Sequence, residues 1–228
     1  MLLGHYGVAF ALKRAEPKVS LGTLFIAVQL VDLAWSACIL LGWESARIVP
    51  DYTAVSPFEF LDYPLTHSLL AGAIWAVAAG ALYYSWPTTD TARHARAAAV
   101  VGAAVLSHWF LDALVHVPDL PLAGGASPKV GLGLWHSLPA TLAVEAIIFF
   151  GGLALYLTQP AGRRHPVARG RAAIVAGLLA SAYVAETFGA PPPSMRAAAI
   201  GGIVFFIVAG FLGVWANQRS VPVTVTAH

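Results

Sequence analysis

The run AAAVVGAAVLSHWFLDALVHV, Ala97 to Val117, decides how the rest of the chain is read. It is apolar over the ~20 residues a helix needs to cross a ~30 Å hydrocarbon core, yet it carries His108, Asp112 and His116. Four residues turn a helix by about 400°, so the three side chains share one face. Ionisable groups inside a span are costly and normally turn toward a bundle interior or a wet cavity. That face is therefore expected to look inward.

The rest of the chain belongs to the same class. Of its 228 residues, 58% are hydrophobic and 11% charged, against ~45–50% and ~25% in soluble domains. Five more runs are long enough to span: Leu21 to Trp43, Pro64 to Trp86, Leu138 to Leu157, Gly170 to Gly189 and Arg196 to Trp215. None shows the period-two alternation of a barrel strand. The expected fold is all-α: a polytopic membrane protein of about six transmembrane helices, in one domain over residues 1–228. Pro50, Pro87, Pro118, Pro160 and Pro191-Pro192-Pro193 mark breaks between the runs. The opening MLLGHYGVAFALKR is too short to span, and its charges follow its apolar part, unlike a cleaved signal. Met1 to Leu12 reads as a half-membrane or interfacial helix ending at Lys13 and Arg14, with His5 held below the surface. A single cysteine, Cys38, excludes a disulfide framework. Gly72, Ala76 and Gly80 form a small-residue stripe suited to close helix contact.

Lys and Arg set the orientation. One side holds Lys13, Arg14, Lys18, Arg93, Arg96, Arg163, Arg164, Arg169, Arg171 and Arg219; the other holds only Arg47, Lys129 and Arg196. The positive-inside rule puts both termini in the cytoplasm and turns the connections Glu44 to Tyr63 and Pro118 to Trp135 outward. Those connections are acidic and aromatic, so no nucleic-acid surface is expected. The basic run Arg163 to Arg171 reads as an anchor on anionic lipid, and His94, His165 and His228 as solvated.

Depth counting then brings residues of five spans together. At 1.5 Å per residue, Asp32 and His108 fall about 17 Å above the cytoplasmic end, and Asp112 and Glu186 about 22 Å. Glu145 and His67 fall in the same outer half. Imidazoles and carboxylates without thiols are a donor set for Zn²⁺, and a cation there would neutralise carboxylates that could not otherwise stay ionised in the membrane. Each residue also has a plainer reading. His108 with Asp112 would be an intrahelical pair that pins two helices, and Asp32 a partner of Gln29 or of a buried Trp. His67 would be a first-turn residue behind Pro64, capped by Asp62. His5 would be interfacial, His116 and Asp119 solvated end residues, and His136 a neighbour of the interface anchor Trp135. Glu145 and Glu186 would be protonated structural carboxyls.

GHYGVAFALKR, YPLTHSLLAG (Tyr63 to Gly72) and VGAAVLSHWFLDALV (Val101 to Val115) together resemble the membrane-bound metal-dependent hydrolase family of bacterial inner-membrane proteins. The resemblance covers roughly the first half of the chain. Its pattern of an early His, an Asp segment, Thr-His-Ser and Ser-His-x-x-x-Asp falls here on His5, Asp32, Thr66-His67-Ser68 and Ser107-His108 with Asp112. Where many members carry an acidic cluster at the second position, QLVDLAW has Asp32 alone. The ligand order is also similar to that of zinc-dependent phospholipases C and fungal zinc nucleases. That likeness implies His5, Asp32, His67, His108 and Asp112 as metal ligands, with Asp112 able to bridge ions and His116 and His136 as further candidates. It further implies a hydrolase of the bacterial cytoplasmic membrane, with a divalent metal of the zinc type and Asp112 or Glu145 moving the proton. The depth of the site suits a phospholipid or lipid-linked phosphoester. The rival expectation is a non-catalytic subunit or transporter-like protein that binds a metal, haem or pigment through buried His.

Overall fold

The computed structural model describes residues 1–87, 91–158 and 166–217. Arg163, Arg164, His165, Arg219 and His228 lie outside the described residues. The fold is an all-α polytopic membrane bundle. Its elements are α1 (Leu3–Ala15), α2 (Leu21–Val28), α3 (Leu30–Leu41), α4 (Pro64–His67), α5 (Leu69–Tyr84), α6 (Thr91–Val115), α7 (Leu138–Leu157), α8 (Pro166–Phe188) and α9 (Met195–Asn217). Two short antiparallel ribbons lie at one end: β1 (Ser45–Ile48) with β2 (Phe58–Asp62), and β3 (Leu120–Pro121) with β4 (Lys129–Val130).

Four helices, α6 to α9, are long and apolar enough to cross a membrane, and α2 with α3 makes a fifth if the bent pair counts as one span. The expected first span is thus broken. Its halves meet at Gln29 with a 51° bend. The expected second span is divided too, because Ser68 leaves the helical conformation and its hydroxyl caps α5 by accepting from the Ala71 N–H at 3.0 Å. The remaining helix α5 has 16 residues, about 24 Å of rise, less than a ~30 Å core. The membrane-facing side is legible in stripes such as Leu70, Ile74 and Val77 on α5, and Val204, Val208 and Phe211 on α9, all exposed and apolar.

α1 corrects the interfacial reading. Leu3, His5, Tyr6, Ala9, Phe10 and Lys13 are all buried, so this short helix is surrounded by the bundle. It runs from Met1, beside the end of α6, toward Lys13 and Arg14 at the opposite end. Lys13 donates there to the carbonyls of Pro17 and Val19, and Arg14 to that of Leu155. Its close approach to α7 depends on missing side chains. A Cβ on Gly7 would strike the Ile148 carbonyl, and one on Gly152 would strike the Gly7 carbonyl. Glycine plays the same part where Gly22 of α2 meets Gly213 of α9, and where Gly80 and Gly102 join α5 to α6. α3 ends at Gly42, whose φ of 72° lets Gly42 and Trp43 N–H groups turn back to the carbonyls of Ile39 and Cys38.

Candidate metal centre

The carboxylates of Asp112 and Asp32 sit at the centre of the site, with imidazoles from α1, α4 and α6 around them. His108 and Asp112, four residues apart on α6, bring Nε2 to 3.0 Å from Asp112 Oδ2. His116, one turn further, reaches the same oxygen at 3.8 Å through Nε2. His67 at the end of α4 approaches it at 3.8 Å and lies 3.3 Å from Asp32 Oδ1. His108 Nε2 is 3.5 Å from that Asp32 oxygen. His5 stacks flat on His108, with ring centroids 4.0 Å apart, and its Nε2 is 3.2 Å from Asp112 Oδ1. The nitrogen of Met1 lies 2.8 Å from Asp112 Oδ1. His5, His67, His108, Asp112 and His116 are all nearly inaccessible, and Asp32 faces a cavity.

Which ring nitrogen carries hydrogen follows from the outer partners of three of these histidines. His108 Nδ1 is 2.8 Å from the carbonyl of Val28, which can only accept. That carbonyl is among those at the C-terminal end of α2, where the break at Gln29 interrupts the helical ladder. His116 Nδ1 donates to Asp119 Oδ1 at 3.0 Å, and the same oxygen accepts the Tyr63 hydroxyl at 2.8 Å. Burial and the Asp119 carboxylate push the pKa of the Tyr63 phenol up, so it stays the donor. His67 Nδ1 donates to Thr66 Oγ1 at 2.8 Å, and that hydroxyl donates to Glu44 Oε2 at 2.7 Å. Glu44 is itself buried, which raises its pKa. The N–H groups of Leu65 and Thr66, 2.8 and 3.0 Å from its Oε1, favour the ionised form.

With Nδ1 protonated, the Nε2 lone pairs of His67, His108 and His116 all point toward Asp112, and two of them toward Asp32. Lone pair against carboxylate is repulsive at 3.0–3.8 Å unless a proton or a cation lies between. Tetrahedral coordination with bonds of ~2.0–2.1 Å separates neighbouring ligand atoms by about 3.3 Å, close to the spacing here. Two overlapping triplets have ligand atoms within 4.8 Å of one another: His5, Asp32 and His108, and His67, His108 and Asp112. The buried group can hold a metal ion. Its outer hydrogen bonds are of the kind that orients metal-binding imidazoles.

The other expected residues divide. His116 and Asp119 are buried members of the cluster, because the β1–β2 ribbon folds back over the end of α6. Phe60 lies 4.9 Å and Trp135 4.3 Å from the His116 ring, so Trp135 covers the site. His136 is exposed on the short helical turn Leu134–His136 and is not brought to the cluster. His94, expected to be solvated, is half-buried and stacks on Tyr83. Asp62 does not cap α4, which starts without a side-chain cap. Glu44 and Tyr63 carry no signal in the residue pattern, and Asp119 reads there only as a solvated end residue, since each acts through a loop that only the fold brings back. Thr66 was visible only as part of Thr-His-Ser.

Glu145 is buried on α7, and its two oxygens accept the N–H groups of Leu2 and Gly4 at 3.1 and 2.8 Å. It caps α1, which has no cap of its own. Glu145→Gln is therefore expected to lower thermal stability by ~0.5–2 kcal/mol while leaving bound metal in place. Calorimetric melting beside elemental analysis checks this. Thr66→Val, which breaks the link from Glu44 to His67, is expected to weaken metal binding ~10–100-fold, with Thr66→Ser retaining it. Competition against a zinc chelator measures both variants.

No protein-family model, curated protein or solved structure matches the chain.

Proposed function

We propose that the chain is a membrane-embedded hydrolase dependent on a divalent metal of the zinc type, acting on a phospholipid or lipid-linked phosphoester in the outer leaflet of the cytoplasmic membrane. One observation carries this reading: three imidazoles locked by separate outer partners aim their Nε2 atoms at the Asp112 carboxylate, two of them also at Asp32. His67, His108, Asp112 and Asp32 would hold the metal, with His5 and His116 beside them. When bound, the metal would polarise the scissile oxygen and acidify a water. Asp112 and Asp32 would hold and pass the proton, and the aromatic cover of Phe60 and Trp135 would limit access of bulk water. A cavity of about 640 Å³ reaches Asp32, His67, Asp112 and His116, within the ~300–1,000 Å³ of small-ligand sites. A haem or pigment would need a flat apolar slot on one imidazole, whereas His5 and His108 stack on each other.

The purified full chain is expected to contain stoichiometric divalent metal by elemental analysis and to release phosphate-bearing product from lipid vesicles. His108→Ala should lose both. A metal-free protein that neither binds zinc nor hydrolyses lipid would refute the reading.

A further inference from the structure

The cavity extends beyond the metal cluster. One end is formed by Asp32, His67, Asp112 and His116, while its far wall is one face of α8 and one of α9. On α9 the lining residues are Ala197, Ala198, Gly201, Gly202, Phe205 and Phe206, pairs four apart and so a single stripe. A Cβ on Gly201 would meet nothing within 4 Å, which makes this part of the wall open space. Gly201 and Glu186 each line the cavity and are also exposed, placing an opening between α9 and α8. Gly201 lies six residues into α9, about 9 Å along the axis from Met195. Because α9 is long and apolar enough to span, an opening at that depth meets hydrocarbon. Asp51 and Ala54, between β1 and β2, are likewise exposed lining residues, so the polar end has its own opening under the ribbon.

We propose that the α8–α9 part of the cavity seats one hydrocarbon chain of a bilayer lipid whose anionic headgroup lies over the His/Asp cluster. The headgroup end rests on the metal-dependent reading above, since a bound cation supplies the charge complementary to a phosphoryl oxygen. The chain end rests on the cavity itself: it is continuous with the cluster, opens toward lipid at one place and toward the ribbon at another, and has the volume of a headgroup with part of one chain. The α9 stripe is no more apolar than a lipid tail, and Tyr183, Glu186 and Thr187 line the α8 side, so moving a chain into the groove adds little affinity. What the groove supplies is position. It aligns the headgroup with the cluster and selects among chains by shape.

The test uses the full chain in nanodiscs of phosphatidylglycerol doped with a phosphatidylglycerol whose acyl chain carries a photoreactive diazirine. Illumination followed by peptide mass spectrometry should place adducts on the Ala197 to Phe206 stripe. Gly201→Trp should reduce them at least about tenfold with bound zinc unchanged, because the indole occupies the open space. Ala198→Leu serves the same purpose should the larger residue prevent folding, and Val204→Trp on the exposed face of α9 should leave the groove adducts intact. Equal labelling in the filled variants, or labelling confined to the Val204 and Phe211 face, overturns the proposal. Groove adducts in a protein that binds no zinc would refute the hydrolase reading and leave the chain seat standing; bound zinc without groove adducts would do the reverse.

Discussion

Asp112→Asn is expected to strip the cation from the protein while costing the cation-free fold far less than the cation-loaded one. Asp112 Oδ2 is within 3.0–3.8 Å of three Nε2 atoms, and Oδ1 faces His5 and Met1. Losing one charged partner from a buried set costs ~3–5 kcal/mol, which is about 10²–10⁴-fold in metal affinity. Without metal the cost is smaller, because three lone pairs then oppose a carboxylate and an asparagine amide can donate to one of them, while the charge facing the Met1 nitrogen at 2.8 Å is still lost. A salt-bridge cluster that only pins helices makes a different forecast: the variant melts lower by the same amount whether or not metal is present. Melting curves with zinc and with chelator, on parent and variant, separate the two. A variant destabilised equally in both conditions would sink the metal assignment.

Gly152→Leu should disable the site from a distance. The α1–α7 crossing brings the Gly7 and Gly152 backbones together, and any Cβ at 152 would strike the Gly7 carbonyl. Backbone cannot yield as a side chain end does, so the cost lies at or above the upper end of the ~1–3 kcal/mol typical of overpacking. α1 also carries His5 and is tied to α7 through Glu145, so displacing it opens one side of the cluster. Lower melting temperature and reduced content of bound divalent metal are expected together. Gly151→Leu is the control: its Cβ would meet nothing within 4 Å, and a change within about 0.5 kcal/mol is expected. Similar losses in both variants would show that general helix propensity, not the crossing, is being measured.

The residues that the sequence could expose are those whose cost is local. His108 and Asp112 stand out because polar groups four apart in an apolar helix need a common explanation, and Asp32, His67 and His5 because they interrupt apolar runs. Residues in polar connections carry no such contrast. Glu44, Tyr63 and Asp119 look like ordinary loop residues until the β1–β2 ribbon and the turn after α6 bury them. His116 was misplaced at a solvated rim for the same reason, since depth along one helix says nothing about what folds over its end.

By itself, then, the sequence determined that this is an all-α membrane protein and that a layer of imidazoles and carboxylates lies within it, because the penalty for polar groups in hydrocarbon acts residue by residue. Only the tertiary structure decided that α1 is buried, that the first span breaks at Gln29 close to the carbonyl that orients His108, and that Val28, Thr66 and Asp119 fix three ring tautomers. Those are directional hydrogen bonds between segments far apart in the chain. Their geometry exists only after the helices have packed.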